Sequence, residues 1–328
     1  MEFPIQRPRR LRRTPALRSL FRETAATPSD LILPLFVHEL QGNAAIDGMP
    51  GVERLDLDGV AKAASRAAEA GIGAVLLFGV PNAKDAIGSS AFAEDGIVQQ
   101  ALERVRSEVG DSLVLIADTC LCAYTDHGHC GLLAADGTVD NDSSLGPIAQ
   151  TAVSQAKAGA DIVAPSDMMD GRVAAIREAL DDEGLTDTLI VSYAVKHASA
   201  FYGPFRAAAG SAPGAGPSDR RSYQMDPANS DEALREAFAD LSEGADALIV
   251  KPALPSLDLI ARVRAETAAH VWGYAVSGEY AMIESASANG SIDRRSAVLE
   301  SLTAIKRAGA TSIITYHAME AAQWLRDR

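Results

Sequence analysis

All three cysteines of the 328-residue chain, Cys120, Cys122 and Cys130, fall in D-T-C-L-C-A-Y-T-D-H-G-H-C-G (118–131), with His127 and His129 between the last two. The pattern C-x-C-x7-C offers three soft donors suited to zinc. It allows a closed structural site completed by His127 or His129, or a three-thiolate site whose fourth position stays open to water or substrate. Spacing alone leaves both open. An odd number of clustered thiols does not form a disulfide framework, and implies a reducing, cytoplasmic compartment.

Lysine is scarce: there are six, at 62, 84, 157, 196, 251 and 306, among 30 basic residues. Lys196 and Lys251 directly follow apolar runs. Burying an ammonium there is costly, and desolvation together with a neighbouring cation lowers a lysine pKa from about 10.4 toward neutrality. A neutral amine attacks a ketone and forms a Schiff base. One such lysine is equally well explained by a carboxylate partner; two on adjacent strands need a reason. Arg206, Arg220 and Arg221, in the segment 200–227, suit carboxylate or phosphate recognition and form a local cationic patch in an otherwise acidic chain. Together these groups imply a carbonyl substrate carrying an acid group, with zinc beside two amines.

Eight short β-rich runs must position them: 31–37, 74–80, 113–119, 161–167, 189–195, 247–252, 271–277 and 312–318. Helical segments lie between, as in VAKAASRAAEAG (60–71) and DEALREAFADLSEG (231–244). A helix end, a glycine cap and entry into a buried strand recur in EAGIGAV, KAGADIV, SEGADALIV and RAGATSII. This alternation predicts an α/β fold, a (β/α)8 TIM barrel. A doubly wound sheet is the alternative; the count of eight and the lack of G-x-G-x-x-G after the first strand favour the barrel. Residues 1–30 read as an N-terminal arm, 31–328 as one catalytic barrel, and about 200–227 as a Gly/Ala/Pro-rich lid. The net charge of −14 argues against nonspecific nucleic-acid binding, and no apolar run approaches the roughly 18 residues of a membrane span.

Barrel active sites lie at the C-terminal strand ends. The third strand ends at Asp118 and runs into the cysteines, the fourth ends at Ser166 and Asp167, the fifth at Lys196, the sixth at Lys251, the seventh at Ser277 and the eighth near Tyr316.

Over almost its whole length the chain resembles the porphobilinogen synthase (5-aminolevulinate dehydratase) family. The resemblance is carried by 118–131, APSDMMDGR (164–172), SYAVKHASAFYGPFR (192–206), RRSYQMDPANSDEALRE (220–236), EGADALIVKP (243–252) and VSGEYAM (276–282). It implies condensation of two 5-aminolevulinate molecules to porphobilinogen with loss of two waters, in tetrapyrrole synthesis. It further implies a homo-oligomer, commonly an octamer, in which the arm embraces a neighbouring subunit. By the same resemblance, Lys251 holds the substrate that supplies the propionate side and Lys196 the one that supplies the acetate side. The acetate-side carboxylate would meet Arg206 and Arg220, with Gln224 nearby; the propionate-side carboxylate would meet Ser277 and Tyr316. Asp118 would line the same site. Cys120, Cys122 and Cys130 match the zinc-dependent branch. Glu236, on the helix before the sixth strand, matches an allosteric magnesium site.

The chain departs from the family pattern at His197, Ala275 and His317, and in the insert SAPGAGPS. None of these removes a catalytic group. Two other readings compete: a Schiff-base aldolase, which accounts for one lysine but not for two plus three thiolates, and a non-catalytic zinc scaffold closed by a histidine.

Overall fold

A computed structural model describes residues 6–214 and 216–327. Its centre is a closed parallel barrel of strands β1 Leu31–His38, β2 Ala74–Val80, β3 Val114–Thr119, β4 Ile162–Pro165, β5 Leu189–Lys196, β6 Ala247–Lys251, β7 His270–Ala275 and β8 Ser312–Thr315. Each pairs with the next, and β8 returns to β1 through Leu31–Ile313 and Ile32–Ile314. The eight expected strands are therefore all present. Lys196 and Lys251 are the last residues of their strands, as expected; Ser277, expected to end the seventh strand, instead opens a helix.

The helices in chain order are α1 Pro15–Leu20, α2 Leu57–Glu69, α3 Ile97–Val109, α4 Asn141–Lys157, α5 Arg172–Asp182, α6 Gly203–Ala208, α7 Ser230–Ser242, α8 Leu257–Thr267, α9 Ser277–Ala288, α10 Arg294–Arg307 and α11 Ala318–Arg326. Several start where a side chain takes up the free N–H groups of the first turn: Asp56 accepts from Gly59 at 2.7 Å, and Asp293 from Ser296 at 2.8 Å. The expected arm begins in residues 1–5, which lie outside the described residues; 6–30 carry a 3-10 turn, α1 and a second turn with no fully buried side chain. Among the described residues no helix is long and apolar enough to cross a membrane.

Two apolar layers follow from the strand alternation. Ile32, Phe36, Leu76, Phe78, Ile116, Val191, Tyr193, Ile249, Tyr274 and Ile314 form one cluster in the barrel interior. Val37, Val75, Leu77, Leu115, Val163, Leu248, Val271 and Ile313 pack outward against the helices. The interior is thus a filled core, and the polar groups of interest stand on its upper layer. Behind β4 and β5, Arg172 is buried and bonds Asp240 at 2.7 Å and the Ser192 hydroxyl at 2.9 Å, tying α5, α7 and β5 together.

The expected lid is partly helical. A 3-10 turn (Ala200–Tyr202) leads directly into α6. Three cations gather the carbonyls at the end of α6: Arg54 donates to Ala208 and Ala207 at 2.7 and 2.6 Å, Lys84 to Gly210 at 2.6 Å, and Arg220 to Ser211 at 2.5 Å.

Candidate active site

The thiol cluster sits where β3 leaves the barrel. The Sγ atoms of Cys120, Cys122 and Cys130 lie within 4.8 Å of one another, all buried, and no carboxylate or imidazole joins them among the described residues. Tetrahedral zinc with Zn–S bonds of about 2.3 Å holds its sulfurs about 3.8 Å apart, inside this limit, so the three thiols fit as a donor set for it. Hydrogen bonds from the other two thiols and the nearby Arg220 and Lys196 cations hold the Cys130 thiol well below its usual value; hydrogen bonding to its neighbours and burial push Cys120 well above.

The histidines are committed elsewhere. His129 lies 3.0 Å from the Pro217 carbonyl through Nε2, which therefore donates, and its Nδ1 accepts from the Tyr223 hydroxyl at 3.0 Å. His127 Nδ1 accepts the His129 N–H at 3.1 Å, and Nε2 faces the Ala86 carbonyl at 3.3 Å. Both rings brace the loop against the lid and the β2 exit, so neither completes the thiol set in this arrangement.

Lys196 and Lys251 are direct register partners on β5 and β6. Lys196 Nζ donates to the Ser166 carbonyl. Lys251 Nζ stands amid Tyr274, Phe205, Tyr193 and Tyr202, with ring centres 4.4 to 5.1 Å away. Burial first, and then the Lys196 ammonium, lower the Lys251 pKa to about 7, against the pull of Asp118 and the thiolates. A substantial neutral fraction at neutral pH is what a nucleophilic amine requires. Asp118 is pushed up to about 6 by burial, while both lysines and the Ser166 hydroxyl oppose the rise. It is poised to exchange a proton with its neighbours.

Several buried polar atoms have no partner among the described residues: Asp118 Oδ1, Tyr193 OH, Arg206 Nε, Arg220 Nε, Ser211 Oγ and both amide atoms of Gln224. Buried donors are normally paired. Two guanidinium nitrogens and an amide left free in the lid region match a carboxylate acceptor. The Ser277 hydroxyl accepts the Phe205 N–H at 3.0 Å and faces the Phe201 carbonyl at 3.3 Å, and the Tyr316 hydroxyl pairs with that of Tyr274 at 3.0 Å.

Some expected residues are not brought here. Arg221 points outward, with its Nε 3.7 Å from Asp219. Glu236, expected at an allosteric position rather than among the catalytic groups, lies on α7 in a cavity of about 550 Å³ lined also by Asp170, Glu232, Asn141, Arg221 and Gln224. Of the departures, His197 is buried with its backbone N–H on the Lys251 carbonyl at 3.1 Å, and His317 Nε2 meets Glu284 at 2.8 Å. The aromatic wall around Lys251 and the buried Ser211 were missed in the sequence. Tyr193, so close to Lys196 on the same strand, was the available signal; Ser211 carries none, because only lid folding buries it.

The chain matches the model of the family described as delta-aminolevulinic acid dehydratase over residues 5–324. Curated relatives of that name include one from Halalkalibacterium halodurans, 55% identical over 99% of this chain and 98% of its own length, and one from Bacillus subtilis, 52% identical over the full length of both. A solved structure from Toxoplasma gondii, delta-aminolevulinic acid dehydratase (porphobilinogen synthase) in complex with the reaction product porphobilinogen, superposes with a TM-score of 0.96 at 44% identity, covering 99% of this chain and 93% of that one.

Proposed function

The chain belongs to the delta-aminolevulinic acid dehydratase family, the porphobilinogen synthases, which are lyases, and on that footing we propose that it joins two 5-aminolevulinate molecules through imines on Lys251 and Lys196. The observation that carries this reading is the paired placement of two lysines on one face, one of them with its pKa near neutrality.

Lys251, in its aromatic enclosure, attacks the ketone of the propionate-side molecule as a free amine and releases water. Ser277 and Tyr316 receive its carboxylate. Lys196 forms the imine with the acetate-side molecule once it has given up its proton, and that molecule's carboxylate pairs with Arg206 and Arg220 beside Gln224. A carboxylate meeting both guanidinium groups gains charge-assisted bonds in a site already shut off from water. Asp118, whose carboxylate is electrostatically coupled to both amines, carries protons between lysine and substrate as the imines form and as carbon–carbon and carbon–nitrogen bonds close the ring. The lid segment and its three carbonyl clamps exclude water while this happens.

Cys120, Cys122 and Cys130 would hold zinc. When bound, it supplies Lewis acidity beside the acetate-side molecule. Glu236, with Asp170 and Glu232, would offer the oxygen donors that magnesium prefers. The arm would make the contacts of a homo-octamer.

The test is reductive trapping. Borohydride with 5-aminolevulinate reduces an imine to a stable amine on Lys251, found by peptide mass. Folded protein that traps nothing on either lysine overturns the reading. For Glu236, activity and sedimentation of E236A and the parent are compared with and without magnesium; identical responses exclude the magnesium role.

A further inference from the structure

We propose that Glu279 is a positioning residue that locks the Lys251 turn and the Ser277 turn at one fixed separation, and so sets the geometry of the propionate-side subsite. This rests on the function proposed above.

The two groups assigned to that subsite come from different strands. Lys251 ends β6, and the chain turns through Pro252, Ala253 and Leu254. Ser277 follows β7 and starts α9. The backbone links the Lys251 turn to the end of β7 by the Ala253 N–H on the Tyr274 carbonyl at 2.9 Å. Glu279, in the first turn of α9, supplies the rest. Its Oε2 accepts the Val276 N–H at 2.7 Å, and its Oε1 accepts the Leu254 N–H at 2.7 Å. One carboxylate therefore holds a donor three residues after Lys251 and a donor immediately before Ser277.

The chemistry is more specific than a helix cap needs. A cap uses one oxygen; Val276 offers no side-chain acceptor, and Oε2 alone serves that end. The second oxygen reaches across to another strand's turn. Glu279 is only 2% exposed, and no cation pairs with it among the described residues. Burial pushes its pKa up to about 7, while the N–H groups of Val276, Leu254 and Ala253 and the charge of Lys251 pull it back. A buried acid kept without a countercharge is expensive, and here the return is geometric: two acceptors on one rigid, planar group. Glutamine would turn one acceptor into an N–H donor aimed at another N–H. The lid entry depends on the same helix end, because the Phe205 N–H bonds Ser277 Oγ and the Gly278 backbone lies against Phe201.

The experiment uses the full zinc-loaded protein and the probe 4-oxopentanoate, a keto acid that forms an imine with a lysine amine and is fixed by borohydride. Adducts on Lys251 and Lys196 are quantified separately by peptide mass. In E279Q the concentration of probe giving half-maximal Lys251 adduct rises about tenfold, while the Lys196 adduct and the zinc content stay within about twofold of the parent. An unchanged Lys251 adduct in folded E279Q overturns the proposal, as does equal weakening at both lysines, which marks a general loosening. Failure of the parent to trap at either lysine counts instead against the proposed function. If E279Q does not fold, hydrogen exchange in the parent decides: the Leu254 and Val276 amides exchange at least about a hundredfold more slowly than open peptide, and loop-like exchange at either one overturns the proposal.

Discussion

Lys196 and Lys251 point to one face because β5 carries one residue more than β6 before they pair. The register runs from Ser192–Leu248 to Val195–Val250, three steps on one strand against two on the other. Strict alternation from Tyr193, which faces the interior, would turn Lys196 outward to the helices. The irregularity reverses this and sets both amines over the Tyr193 ring, at 5.7 and 5.1 Å.

The lowered pKa of Lys251 has a direct kinetic consequence. Its amine is largely neutral above about 7 and protonated below it, because burial and Lys196 disfavour the ammonium. Initial trapping of 5-aminolevulinate on Lys251 should therefore fall about tenfold per pH unit on the acid side of that value. K196A removes the neighbouring charge, raises the Lys251 pKa and moves the limb to higher pH; rapid-quench trapping across pH 5–9 measures both.

The thiol cluster should be separable from the fold. It lies on a loop outside a barrel closed by its own ladders and filled by apolar side chains. Chelation is expected to remove metal and abolish activity while the thermal unfolding midpoint stays above about 45 °C. C122S should give the same outcome, with metal content by elemental analysis falling below about one tenth per chain.

The buried Arg172–Asp240 pair predicts a stability loss. D240A leaves the guanidinium beneath β5 with Asp167, 4.0 Å away, as its remaining ion-pair partner among the described residues. Denaturant unfolding should show a loss of about 3 kcal/mol, while the milder D240N, which keeps an acceptor, loses less.

Gly278 leaves no room for a side chain. A Cβ there would lie 2.5 to 2.9 Å from the Phe201 backbone. G278A should displace the start of the lid, raising KM severalfold with a smaller change in thermal midpoint; equal KM would show that the lid entry does not bear on binding.

Arg54 holds the end of α6 through two carbonyls. R54M should speed proteolytic cleavage within 207–219 and raise KM about threefold to tenfold, with barrel unfolding unchanged. Limited proteolysis followed by peptide mapping reads the first effect.

Sequence determined the chemistry and the scaffold. Eight apolar runs with glycine-capped helix ends bury both faces of their strands under helices, and the count of eight favours a closed barrel over a doubly wound sheet; three thiols within 120–130 stay close in sequence whatever the rest of the chain does. The strand ends assigned Lys196, Lys251 and Ser277 to one rim, and the segment 200–227 assigned Arg206 and Arg220 to the lid over it. What local pattern did not contain was orientation. Whether His129 faces the thiols or the lid depends on Pro217 and Tyr223, some 90 residues away. Arg220 turns inward and Arg221 outward because the folded lid sets Ser211 and Gly128 carbonyls before one and solvent before the other. The inward turn of Lys196 and the reach of Glu279 to Leu254 likewise belong to contacts between strands. Those contacts form only when the barrel closes, so tertiary structure alone decides them.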